Sequence, residues 1–266
     1  MTDLRSKTIE DFGEQWTSFT DNEAYYASAE LFREILGDAL DPEELRGRRV
    51  ADIGSGTGRI VRMLLSCGVE HVTAIEPSAA FRVLARNVAD AGDRVTCLNI
   101  AGEDIPDGIE LDHVVSLGVL HHVPEPGIIV RACHRALKPG GRMTVWLYGR
   151  EGNELYLALA IPLRRVTVHV PHKALVVLSW LLYPPLWAYA TLCRFLPLPM
   201  QKYMVGHILR LTVKNGVLTI YDQLNPSYAK YYTREEAVSL LSDAGFAAIR
   251  TYNRQGYGWT VSGEKI

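Results

Sequence analysis

Residues 50–60 read VADIGSGTGRI, and this stretch decides the fold. Val50 to Ile53 is a short apolar run of the kind that forms a buried strand. Gly54, Gly56 and Gly58 break the run into a turn, and a helical pattern starts at Arg59. A glycine-rich turn between a buried strand and a helix lets the backbone approach a nucleotide-like ligand, with the helix N-terminus pointing at it. The spacing is GxGxG, and Arg59 stands where a dinucleotide fingerprint needs its third glycine. The ligand therefore need not be a pyrophosphate, and a nicotinamide-dependent oxidoreductase is disfavoured. Asp52 would repel phosphates but suits an ammonium group. Glu76 follows 24 residues later, at the end of the next strand-like run. A carboxylate there can accept both hydroxyls of a ribose.

Outward from this turn, short β-branched runs alternate with helical stretches. The runs are 48–53, 71–76, 93–99, 111–117 and 141–148; the helical stretches are Arg59–Ser66, Ala79–Ala91 and Gly127–Leu137. That alternation predicts an α/β fold, a Rossmann-like, doubly wound and mostly parallel seven-stranded sheet. Residues 48–154 are its ligand-binding core. Residues 1–47 precede it as a helical cap, with Tyr25, Ala29, Leu31, Phe32, Ile35 and Leu36 at helical spacing. Residues 222–266 complete it. Thr233–Glu236 (TREE) is a capping box opening a helix that closes at Gly245, and 247–252 and 257–262 are the last two strands.

The 266 residues are 48% hydrophobic and 22% charged, ordinary values for one globular domain with an insertion. A net charge of −2 gives no electrostatic reason to expect nucleic acid. The average hides an asymmetry. From Leu155 to Tyr221 there is no Asp or Glu, and seven Lys/Arg fall in that insertion, against 21 basic and 30 acidic residues elsewhere. Ala174 to Cys193 is a run of 20 uncharged residues, interrupted by Pro184 and Pro185. The prolines predict two short apolar helices joined at 182–185 and no bilayer span. Helices over 155–214 are expected to pack over the C-terminal edge of the sheet as a lid. Its basic, aromatic remainder around Arg164, Arg165, Trp180 and Trp187 suits peripheral contact with a membrane or a homodimer face. Cys67, Cys97, Cys133 and Cys193 have no metal or disulfide spacing, His169 and His172 lack a third ligand, and no metal is expected. The N-terminus has no apolar signal segment, so the expected setting is cytoplasmic, with the membrane periphery as its variant.

Five motifs then fall in order: VADIGSGTGRI (50–60), AIEPS (74–78), GEDIP (102–106), SLGVLHHVPEP (116–126) and LKPGGRMTVWL (137–147). Together they resemble the motifs of class I S-adenosylmethionine-dependent methyltransferases over roughly residues 45–150. The resemblance implies S-adenosyl-L-methionine as cofactor and methyl transfer to a small-molecule, sugar or lipid-like acceptor. It implies that Asp52, Gly54, Ser55, Gly56 and Gly58 line the methionine side and that Glu76, followed by Pro77, holds the ribose. Leu117, Gly118 and His122 would lie near the transferred methyl. The family commonly has an acidic residue where this chain has Ala101, so the adenine contact falls to Glu103 or Asp104. An O-acceptor would need its proton taken, with His121, His122, Asp222 or Tyr148 as candidates. Two segments outside the shared motifs are expected to select the acceptor, DFGEQWTSF (11–19) and TIYDQLNPSYAKYY (219–232). The alternative is a non-catalytic binding or scaffolding protein on the same fold.

Overall fold

In a computed structural model, which describes residues 2–266, the apolar runs form the seven strands of one sheet. In chain order these are β1 (Arg49–Ile53), β2 (His71–Ile75), β3 (Val95–Leu98), β4 (Leu111–Leu117), β5 (Leu137–Tyr148), β6 (Phe246–Arg254) and β7 (Gly258–Lys265). Their order across the sheet is β3-β2-β1-β4-β5-β7-β6. Strands β1 to β5 are mutually parallel, and β7 pairs antiparallel to both β5 and β6. The order reverses between β1 and β4, and in an open α/β sheet the crevice at that reversal takes the ligand.

Alternate residues of each strand go to opposite faces. Val50, Val72 and Val115 join one core with α2 (Ala29–Leu36) and α3 (Arg59–Ser66). Ala51, Ile53 and Val114 join a second with α5 (Pro126–Ala136) and α10 (Arg234–Ser242). Helix α10 opens on the expected capping box: Thr233 accepts from the Glu236 backbone while the Glu236 carboxylate accepts from the Thr233 backbone. Helix α1 (Thr2–Ser18) precedes the cap, and α4 (Phe81–Asn87) follows β2.

The insertion folds as α6 (Glu154–Thr167), α7 (His172–Leu192), α8 (Gln201–Gly206) and α9 (Val213–Leu224). It is bonded into the body: Ala190, Cys193, Met204, Ile208 and Leu211 belong to the same core as α2 and α3. The boundary expected after Tyr221 falls inside α9. The break expected at the prolines also does not occur, because α7 runs through Pro184 and Pro185 as one helix of 21 residues. Each proline removes a donor to a carbonyl four residues back. Those carbonyls belong to Trp180 and Leu181, which are exposed, so they are not stranded in a core. On the opposite side, Leu175, Ser179 and Ala190 are buried and Tyr183 closes over Gly216 of α9. Packing of that stripe on α9 overrides the local preference to break.

Candidate active site

The turn after β1 crosses the end of β2, with Gly54 N–H and Ser55 N–H donating to the Ile75 carbonyl at 2.8 and 2.9 Å. Gly54, Gly56 and Gly58 all have positive φ, a conformation costly for other residues. A Cβ on Gly54 would collide with Val119, and one on Gly56 would press on Trp16 of α1 at 3.3 Å. Glu76 lies under the turn, nearly fully buried. Its Oε2 accepts from Gly56 N–H at 2.8 Å and its Oε1 from Ser78 N–H at 2.9 Å. A carboxylate offers about four acceptor positions, so two bonds fix its orientation and leave capacity for a diol. Asp52 sits behind the turn with Oδ2 buried and without a partner, and burial raises its pKa to about 7.

Gly54, Ser55, Gly56 and Glu76 border a cavity of about 270 Å³ at the C-terminal ends of β1, β2, β4 and β5, whereas Asp52, expected on the methionine side, is buried behind the turn and is not on its wall. Ser55, Pro77, Glu103, Leu117, Gly118, His122 and Tyr148 are on its wall. Helix α1 supplies the cover through Arg5, Ile9, Phe12 and Trp16, one helical face. It is held in place by the Arg5–Glu103 ion pair, by Phe12 packed 4.7 Å from the His122 ring, and by Asp11, which accepts from Ser227 N–H. The segment that follows is tied to the glycine turn: the Asn22 amide and the Thr57 carbonyl and hydroxyl bond reciprocally at 2.9 and 2.7 Å. From the insertion, Tyr203, His207, Leu218, Thr219, Asp222 and Gln223 reach the same cavity.

On the same cavity wall, Asp222 has both oxygens engaged. Oδ2 accepts from the Tyr148 hydroxyl at 2.7 Å and Oδ1 from the Gln15 amide at 2.8 Å. Gln223 donates to the Tyr148 oxygen at 2.9 Å, and Arg164 donates from Nε to the Gln223 carbonyl and from Nη2 to the Tyr231 hydroxyl. His122 Nδ1 lies 2.8 Å from the Tyr228 carbonyl, which can only accept, so Nδ1 holds the proton and Nε2 keeps a lone pair. Burial lowers the His122 pKa to about 4, so the ring is neutral at pH 7.

Several expectations need correction on position. His121 is fully buried behind the wall, packed on His122 and Tyr148, with neither ring nitrogen bonded. It has no access to an acceptor. Tyr148 faces the cavity, but burial and Asp222 push its pKa well up, so it stays a donor and not a base. Asp104 is exposed and off the wall, and Gly58 faces Val88 and Leu84, not the cavity. Arg164, expected at the surface, turns inward to the Asp222 side of the site. Gln15 lay within the 11–19 stretch but with no role of its own, and Arg5 and Asn22 carried no signal in the sequence.

Residues 51–145 match the family model described as a methyltransferase domain. Over those residues the chain is similar to methyltransferase domains. Curated relatives match it over part of its length. The ubiquinone biosynthesis O-methyltransferase of Pseudomonas aeruginosa (strain UCBPP-PA14) is 35% identical over 102 residues, 37% of this chain and 44% of that protein. The protein of that name from Alkalilimnicola ehrlichii is 37% identical over 102 residues, 37% of this chain and 41% of its own. The match thus spans less than half of these relatives. Among solved structures, the Burkholderia thailandensis 1,6-didemethyltoxoflavin-N1-methyltransferase, with its namesake ligand and S-adenosylhomocysteine bound, superposes with a TM-score of 0.53 at 18% identity. That likeness covers 99% of this chain and 88% of the other. Human N-acetylserotonin methyltransferase in complex with S-adenosylmethionine gives 0.53 at 15% identity, over 89% of this chain and 53% of the other. Both likenesses concern the fold alone.

Proposed function

We propose that this protein transfers a methyl group from S-adenosylmethionine to a small-molecule, sugar or lipid-like acceptor. The observation that carries the reading is one cavity lined both by Glu76 with the glycine turn and by His122 with Asp222. The residues fit the cofactor: Glu76 retains acceptor capacity for a ribose diol, and Gly54 and Gly56 leave no room for side chains. Bound there, S-adenosylmethionine supplies a methyl group already activated on a sulfonium.

The chain's own residues then position and deprotonate. Trp16 and Phe12 of α1 cover the turn and exclude water. Asp222 is the proton acceptor for a hydroxyl acceptor: its Oδ atoms are held by Gln15 and Tyr148, donors that fix the carboxylate without protonating it. His122 Nε2 is a neutral acceptor within the same wall. Positioning of this kind supplies on the order of 7–11 kcal/mol in favourable cases. Cytoplasmic action, with contact to a membrane through residues 155–214, belongs to the reading; four free cysteines and the acid-free insertion support it. An extract incubated with protein and isotopically labelled methyl donor tests it. Label is expected in one small-molecule or lipid fraction; binding of S-adenosylhomocysteine without any labelled product would favour the scaffolding alternative.

A further inference from the structure

Helices α6 and α7 each have two apolar faces, and only one of each is packed. In α7 the inner stripe, with Leu175, Ser179 and Ala190, is buried toward α9 and the core. The opposite stripe has Trp180 46% exposed, Leu181 68% and Trp187 51%. In α6, Leu157 and Thr167 are buried while Leu159, 71% exposed, and Val166 point outward. Fourteen of the seventeen exposed large apolar side chains among the described residues fall between Leu155 and Val213. A helix on the surface of a protein in water normally turns a polar face outward, and monomers rarely expose contiguous apolar patches of this extent.

The charges around the patch have one sign. Arg165, Lys173, Arg194 and Lys202 are exposed, and no ion pair is found for them among the described residues. No acidic residue lies from Leu155 to Tyr221. Two copies joined through this face would bring these cations together, so a second copy is a poor occupant. An anionic lipid surface matches both the apolar ridge and the cations, and tryptophans suit the boundary between headgroups and acyl chains. Helix α7 has the length and composition to cross a membrane. Crossing would strip its inner stripe from α9 and leave the carbonyls freed at Pro184 and Pro185 in lipid without partners.

We propose that α6 and α7 dock this protein peripherally on an anionic lipid surface, their outer faces inserted at the headgroup boundary. This rests on the methyltransferase reading and sharpens it toward an acceptor that is amphiphilic. Helix α9 joins the two regions: it packs against both helices and presents Leu218, Thr219 and Asp222 to the cavity.

Sedimentation with vesicles of phosphatidylcholine, with and without phosphatidylglycerol, tests the docking face. Binding is expected to the anionic vesicles, weakened by salt. The pair Leu159→Glu and Leu181→Glu should lower it roughly tenfold or more, and Arg165→Glu with Lys173→Glu should abolish its salt dependence. Titration of the same variants with S-adenosylhomocysteine shows that they are folded and separates this result from the cofactor assignment. The proposal is overturned if the wild type stays in the supernatant at low salt, or if the variants bind vesicles as the wild type does. Light scattering that shows a dimer split by the Glu pair, or retention in membranes after carbonate extraction, would overturn it as well.

Discussion

Glu76 does two things at once. It holds the glycine turn through Gly56 N–H and Ser78 N–H, and it keeps acceptor positions facing the cavity. Replacing it by alanine should weaken S-adenosylhomocysteine binding by about 1.5–3 kcal/mol, the scale of charged hydrogen bonds. Calorimetric titration checks this, and an unchanged affinity would remove the ribose assignment. Gly56 tests the turn itself. With φ at +53° and Trp16 against the position of a Cβ, Gly56→Val should leave the fold and lose the ligand-induced rise in Tm. Asp222 tests the chemistry. Asp222→Asn should cut methyl transfer by about 10²–10⁴ while cofactor affinity stays near wild type. Gln15→Leu should move in the same direction by less, because it only releases one oxygen of that carboxylate.

At the scale of elements, local pattern carried most of the fold. Helix Arg59–Ser66 and strand 111–117 lie where periodicity placed them, and the Thr233–Glu236 box forms as read. Thr233→Ala should cost about 1 kcal/mol, seen as a Tm lower by a few degrees. The site was legible where residues belong to a local motif, as with the glycine turn, Glu76 and His122. It was not legible where partners are far apart in sequence. Gln15 meets Asp222 across 207 residues, and nothing in the 11–19 stretch specifies that pairing. Helix α7 was misread for a related reason. Its prolines are unfavourable locally, but the stripe against α9 is a tertiary feature that no window of sequence contains. Pro184→Ala with Pro185→Ala should therefore raise Tm, since both restore donors on an exposed face of a helix that already exists. A fall in Tm would mean that the prolines shape the packing.

For the whole molecule, buried titratable groups set the response to pH. Burial depresses His113 and His207 to about 3 and His122 to about 4, below the ordinary histidine value of 6.5. The unfolded chain then takes up protons as pH falls through 6.5, while the native state does so only near 3–4. Their contribution is complete above 6.5 and is lost as pH falls, by on the order of 1 kcal/mol per unit for each. Asp52 acts oppositely: its pKa, raised to about 7, favours the native state as pH falls from 7 toward 4. Three histidines outweigh one aspartate, so Tm should be lower at pH 5 than at pH 7.5; a flat thermal profile would contradict the burial of these rings. The acidic body and the cationic, apolar insertion are likewise properties of the whole chain, visible in composition before any fold was known. Cofactor binding and methyl transfer both depend on the cavity under the glycine turn. The measurement that tests it most directly is calorimetric titration of the wild-type chain with S-adenosylhomocysteine, alongside Glu76→Ala. One saturable site per chain is expected, weakened in the variant; no binding, or equal binding by both, would show that the cavity does not hold the cofactor through Glu76.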